Sequence, residues 1–269
     1  CLVYELCENG SLDKCLPQLR WHNRVRVATE VCRALLFLHK RKPEGIIHRH
    51  IKPSNVLLDG LWTAKLSDVG LGKTLSSEAM TPMRQRSVCK KSSKLAGTFS
   101  YMDPDYMAHG QVSFSSDVYS LGVLLLKTII GESTQRTATF REIVEDAVED
   151  KSNSFVDIKA GPWPSRHALA FAQLALDCAE PRRRRRPDLE KDVLPALEKL
   201  YAECSSSLAA HEHNADRNLC VVCMDAPATH VLIPCGHKCV CESDAHGFVA
   251  HEKACPLCRA QTTDVIRVY

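Results

Sequence analysis

The chain has 269 residues, 45% of them hydrophobic and 25% charged, a balance that suits an ordinary globular protein able to bury at least one good core. A net charge of +3 gives no ground for a nucleic-acid partner, and the longest strongly apolar run, LGVLLLKTII at 121–130, is broken by Lys127 and too short to span a membrane. No signal peptide or membrane segment is visible, and the chain opens on Cys1 already inside an apolar LVYEL, so a preceding N-terminal part of the protein is expected.

Taken in order, Trp21–His39 puts Val25, Ala28, Cys32, Leu35 and His39 on one stripe, which predicts a long core helix. Apolar runs at Asn55–Leu58 and Thr63–Leu66 predict two strands joined across a DG turn. Residues 71–95 are rich in Ser, Lys and Arg without periodicity and read as a surface loop. Helical patterns resume at Ser116–Ile130, Ser165–Cys178 and Asp188–Glu203, so this part is mainly helical with a small sheet. The small, polar stretch 204–216 reads as a linker between domains at 1–203 and 217–269.

Seven of the fourteen cysteines (Cys220, Cys223, Cys235, Cys239, Cys241, Cys255, Cys258) crowd into the last fifth of the chain. The others are scattered without paired spacings and read as buried apolar residues in a reducing, cytoplasmic compartment. The C-terminal segment is too short for a self-sufficient core, and domains of that size need metals or disulfides. Its spacing supplies metals: C-x2-C-x11-C-x-H-x3-C-x2-D-x10-C-x2-C offers eight positions for two tetrahedral zinc ions, each C-x2-C forming a knuckle that presents two thiolates. His246 and Cys239 are the substitutes should Asp244 point away.

LVYELCENGSL, HRHIKPSNVLLDG, LSDVGLG, GTFSYMDPDY and SSDVYSLGVLLL resemble, in their proper order, the hinge and C-lobe motifs of a protein kinase. The likeness is to plant receptor-like cytoplasmic kinases, and the stretch WPSRHALAFAQLALDCAEPRRRRRPDLEKDVLPALEKL is similar to the end of the kinase region in those fused to a U-box. The resemblance implies that Asp68 and Asn55 hold the magnesium of Mg-ATP and that Lys52 neutralises the transferred phosphoryl group. It also implies that Asp117 bonds the backbone of the 48–50 loop, and that Asp105 pairs with an arginine of the 182–186 run. The other arginines of that run are read as solvated rather than as a nucleic-acid patch. Val69 replaces the usual Phe, a change of packing more than of chemistry.

The departure is His50, which stands where the family has the aspartate that orients the substrate hydroxyl and accepts its proton. Imidazole has the wrong shape and charge for that loop, and loss of a positioned base costs about two to four orders of magnitude in rate. The Gly-rich loop, β3 lysine and αC glutamate of the family would precede Cys1. A degenerate kinase half is therefore expected.

The cysteine pattern resembles a RING finger, in particular the compact C-terminal type of inhibitor-of-apoptosis proteins, with its PCGH and final CPxCR. By that resemblance Cys220, Cys223, Cys241 and Asp244 hold one zinc, and Cys235, His237, Cys255 and Cys258 the other. An E2 would rest on Val222, Pro256 and Leu257, and Arg259 would bridge E2 and ubiquitin with its planar fork. The alternating tail TTDVIRVY predicts a strand that pairs with a second copy, making a homodimer in which Tyr269 reaches ubiquitin; folding back on its own zinc core is the alternative.

The expected fold class is α+β, a mainly helical protein-kinase C-lobe plus a small two-zinc cross-brace RING domain. The expected function is that of a RING-type E3 ubiquitin ligase promoting transfer from E2 to a substrate lysine, with a degenerate kinase domain attached. The alternative is an active serine/threonine kinase whose N-lobe precedes Cys1 and whose RING only binds partners.

Overall fold

Trp21–His39 forms one helix, with all five residues of its apolar stripe buried, in the computed structural model. The structure describes residues 4–76, 90–91, 97–131, 137–204, 220–223, 226–250, 254–258 and 260–268. The chain divides into two units, Cys1–Ala202 and Glu203–Tyr269.

The first unit opens with β1 (Gly10–Ser11), α1 (Leu12–Cys15) and α2 (Trp21–His39). It continues with β2 (Glu44–Ile47), β3 (Val56–Leu58), β4 (Ala64–Leu66) and β5 (Lys73–Ser76), then β6 (Lys90–Lys91), α3 (Pro104–His109) and β7 (Gln111–Val112). β1, β3 and β4 form an antiparallel sheet in that order, with Val56 opposite Leu66. Five residues, not a two-residue DG turn, connect β3 to β4. Asp59 makes that longer loop close: its Oδ1 accepts the N–H groups of Leu61 and Thr63 at 3.0 and 2.9 Å, and Trp62 turns the chain with φ at 62°. β2 pairs with β5 and β6 with β7, so both flanks of the expected 71–95 loop are strand; 77–89 and 92–96 lie outside the described residues.

The core is built on α4 (Phe114–Ile130), where fourteen of seventeen residues are buried, the pattern of a helix enclosed on every side. α5 (Thr137–Glu149) is a helix that the sequence reading did not include, whereas α6 (Ser165–Cys178) begins and ends where its period predicts. α4 and α6 approach so closely that a Cβ on Gly122 would meet Ala179 N at 2.4 Å and Cys178 C at 2.7 Å. A π-helical turn, Leu189–Val193, runs into α7 (194–204). Arg24 is fully buried on α2, where Leu16, Leu19 and Thr128 carbonyls and the Asp157 carboxylate use its guanidinium. Cys15, Cys32, Cys178 and Cys204 are buried free thiols and Cys7 is half-buried; Cys1 and Cys89 lie outside the described residues.

The second unit holds β8 (His230–Ile233), β9 (His237–Val240), α8 (Glu242–Ala250) and β10 (Asp264–Arg267). Its sheet is antiparallel in the order β10-β8-β9. The tail is a strand, but it pairs with its own β8, Asp264 opposite Ile233 through Arg267 opposite His230, so this ladder is made within one chain rather than with a second copy. Residues 205–219, which include most of the expected linker, lie outside the described residues, as do Arg259 and Tyr269. Among the described residues no helix is long and apolar enough to cross a membrane.

Candidate zinc centres and kinase-like cleft

The polar cluster of the first unit is assembled by the β3–β4 hairpin and by one buried carboxylate. Asp117, with no exposed surface, accepts the N–H groups of His48 and Arg49 at 2.7 and 2.8 Å and lies 2.8 Å from His39 Nε2. It thereby ties the loop after β2 to α4 and to the end of α2. His48 is buried: its Nε2 lies 3.0 Å from the Ser67 carbonyl, and its Nδ1 accepts the N–H of His50 at 3.2 Å. That pattern places the ring proton on Nε2, in keeping with burial, which pushes its pKa down toward the neutral form.

Ser67 donates both its N–H and its hydroxyl to the Asn55 carbonyl, at 2.8 and 2.9 Å, which brings Asp68 beside Asn55. Asp68 takes a left-handed backbone, φ 64° and ψ 48°. Its Oδ2 is 2.5 Å from His50 Nδ1 and 3.4 Å from Asn55 Nδ2, while Asn55 Nδ2 also donates to the His50 carbonyl at 2.7 Å. On its other side His50 Nε2 lies 3.1 Å from Thr98 Oγ1. The structure therefore brings His50, Asn55 and Asp68 together. Lys52, two residues after His50 in the chain, is half-buried, with no side-chain partner among the described residues. Thr98 is the member of this cluster that sequence reasoning missed, because nothing in GTFSYMDPDY sets that hydroxyl apart.

Asp105 does approach an arginine, Arg183 Nε at 3.6 Å, but the buried partner of the run is Asp103. Its carboxylate receives Arg186 at 2.7 Å and Arg183 at 3.3 Å, all three residues being buried. Burial alone would raise the Asp103 pKa, yet the bond to Arg186 and the nearby guanidiniums hold it below the usual range. A DPD triplet offers two carboxylates to one arginine run, and the sequence has no means of choosing between them.

In the second unit the β8–β9 ladder and α8 gather eight side chains into two groups. Cys220, Cys223, Cys241 and Asp244 form one and Cys235, His237, Cys255 and Cys258 the other, the ligand atoms within each lying within 4.8 Å of one another. Asp244 Oδ2 is 3.1 Å from the sulfurs of both Cys220 and Cys241. Burial first, and then the Asp244 carboxylate packed against the sulfur, push the Cys220 thiol up to about 11, and a cation relieves that cost. In the second group the His237 N–H leads in pulling the Cys235 thiol down to about 7, which favours the metal-binding thiolate. Thiol, imidazole and carboxylate at this spacing fit tetrahedral zinc. Cys239 belongs to neither group; it is buried in the small core with Leu232, Val240 and Phe248, and burial pushes its thiol up to about 12. The side chain of His246 lies outside the described residues.

Between the ligands sit apolar side chains in water. Val221 and Val222, between Cys220 and Cys223, are 38% and 46% exposed; Leu257, between Cys255 and Cys258, is 46% exposed with Pro256 exposed beside it.

Residues 1–194 match the protein kinase domain family, and residues 216–265 match the C3HC4-type zinc finger, the RING finger. Among similar proteins, U-box domain-containing protein 52 of Arabidopsis thaliana is 43% identical over 208 residues, 74% of this chain and 24% of that protein. U-box domain-containing protein 51 of the same plant is 38% identical over 236 residues, 80% of this chain and 29% of that protein. U-box domain-containing protein 70 of Oryza sativa subsp. japonica is 36% identical over 224 residues, 81% and 27%. The chain thus spans about a quarter of the length of the curated relatives it matches. With its ordered kinase motifs and its paired cysteine groups, the chain belongs to the protein kinase domain family and carries a C-terminal zinc finger of the RING type.

Proposed function

We propose that this chain promotes ubiquitin transfer from an E2 to a substrate lysine, as a RING-type E3 ligase whose kinase half is degenerate. The observation that carries the reading is the placement of exposed apolar pairs inside both metal knuckles, Val221–Val222 and Pro256–Leu257, next to the two four-donor groups. Two zinc ions would clamp these loops into one rigid surface, with Cys220, Cys223, Cys241 and Asp244 on one ion and Cys235, His237, Cys255 and Cys258 on the other. The work of such a module is binding and preorganisation of the E2-bound ubiquitin, not covalent catalysis. Arg259 directly follows the last ligand and is assigned, by resemblance, the bridge between E2 and ubiquitin.

The kinase half is read as degenerate because His50 stands at the position of the family's catalytic aspartate and its ring lies 2.5 Å from Asp68 Oδ2, one of the two carboxylate oxygens that magnesium would use. Retention of Lys52, Asn55 and Asp68 is what favours the second reading, an active serine/threonine kinase.

A single-turnover assay tests the ligase reading: the chain is added to an E2 loaded with ubiquitin, and discharge to free lysine is followed. Wild type is expected to accelerate discharge, and Leu257→Ala or Arg259→Ala to slow it about tenfold, the loss of roughly 1.4 kcal/mol of contact. Absence of any acceleration by wild type, across a panel of E2 enzymes, would overturn it.

A further inference from the structure

We propose that the two zinc centres are unequal, and that the one closed by Asp244 empties first and takes half of the E2 surface with it. This rests on the two-zinc RING reading above. The two groups differ in one donor: three thiols with a carboxylate, against three thiols with an imidazole. Zinc is a borderline-soft ion for which thiolate and imidazole are better matched than carboxylate oxygen, a ligand more at home on magnesium, calcium or manganese.

Position adds a second difference. Asp244 lies in the first turn of α8, where the unpaired N–H groups of a helix start favour a carboxylate with or without a metal. When the ion leaves, Asp244 keeps that stabilisation. His237 instead opens β9 and sits opposite Leu232 of β8, the middle strand of the small sheet. The imidazole centre is thus held to the part of the unit that the hydrogen-bonded strands keep in place.

The apolar surface divides along the same line. Val221 and Val222 are the two-residue insert of the Cys220/Cys223 knuckle, and Pro256 and Leu257 that of the Cys255/Cys258 knuckle. Each insert is a short chelate loop whose shape depends on its own ion, the valine insert keeping one bond to the sheet, from the Val221 N–H to the Cys239 carbonyl at 2.8 Å. Emptying the Asp244 centre releases the valine half while the leucine half remains, so E2 docking falls at zinc levels at which the fold persists. The chain would then act as a ligase whose partner binding follows zinc supply.

Native mass spectrometry of the full chain during titration with EDTA reads the order of loss. A one-zinc species is expected to accumulate before the zinc-free form, and Asp244→Cys to shift the first loss to about tenfold higher chelator, which is about 1.4 kcal/mol. In that one-zinc species, hydrogen exchange should rise in a peptide covering 220–223 and stay slow in one covering 237–240, and binding to the E2 of the discharge assay should drop at least tenfold, again about 1.4 kcal/mol. Loss of both ions in one step, early exchange at 237–240 instead, or undiminished E2 binding by the one-zinc species would each overturn the proposal. A chain that takes up no zinc at all would overturn the RING reading beneath it, a result distinguishable from the others by mass alone.

Discussion

Asp68 has two carboxylate oxygens and a left-handed backbone that fixes where they point, and His50 claims one of them. Replacing His50 by Asp removes the ring from that oxygen and supplies the acid that the resemblance calls for. With the N-terminal part of the protein in place, wild type is expected to phosphorylate a generic substrate poorly, and His50→Asp to raise phosphate incorporation by about two to four orders of magnitude. Robust transfer by the wild type, abolished in Asp68→Ala, would refute the degenerate reading. The position of His50 was legible from the sequence because the motif around it is continuous. The two partners of its ring were not, since Asp68 and Thr98 come to it from 18 and 48 residues away along the chain.

At the scale of elements, the helices that could be read were those with a long and regular apolar period. α2 and α6 begin and end at the expected residues because burial on one face forces that period on them. α5 was missed although Phe140, Ile143, Val144, Ala147 and Val148 recur at helical spacing, because the segment is short and lies among polar residues. The DG dipeptide misled because Asp59 bonds two N–H groups ahead of it, a side-chain option that a dipeptide rule ignores. The α4–α6 crossing was invisible for a different reason: it depends on a missing side chain. Gly122→Ala is expected to destabilise the first unit by about 1–3 kcal/mol or more, because the new methyl would press on backbone atoms that cannot rotate away. Tryptophan fluorescence during denaturation checks this, since Trp21, Trp62 and Trp163 all lie in that unit. An unchanged midpoint would mean that the two helices can separate at no cost.

At the scale of the whole molecule, the unit that shortage of length makes dependent on metal also has an open edge. β10 is paired with β8 on one side only among the described residues, and Ile266 is half exposed upon it. Such an edge leaves backbone groups unpaired and invites a second copy, which is the basis for expecting a homodimer through the RING half. Light scattering should give about twice the 30.0 kDa chain mass for wild type and about 30.0 kDa for Ile266→Asp, whose charge would be buried in the interface. A wild-type monomer at micromolar concentration would leave the edge to solvent.

The knuckle inserts have a thermodynamic consequence of their own. An exposed valine or leucine on a free loop must surrender backbone freedom when a partner arrives, at a cost of about 1–2 kcal/mol per residue. Val221, Val222, Pro256 and Leu257 sit between paired ligands, so that freedom is surrendered on folding, when the metal closes each ring. Binding to these four residues should therefore carry a small entropy penalty for ordering and a heat-capacity change close to that of the apolar area covered, the signature of a surface already set before its partner meets it.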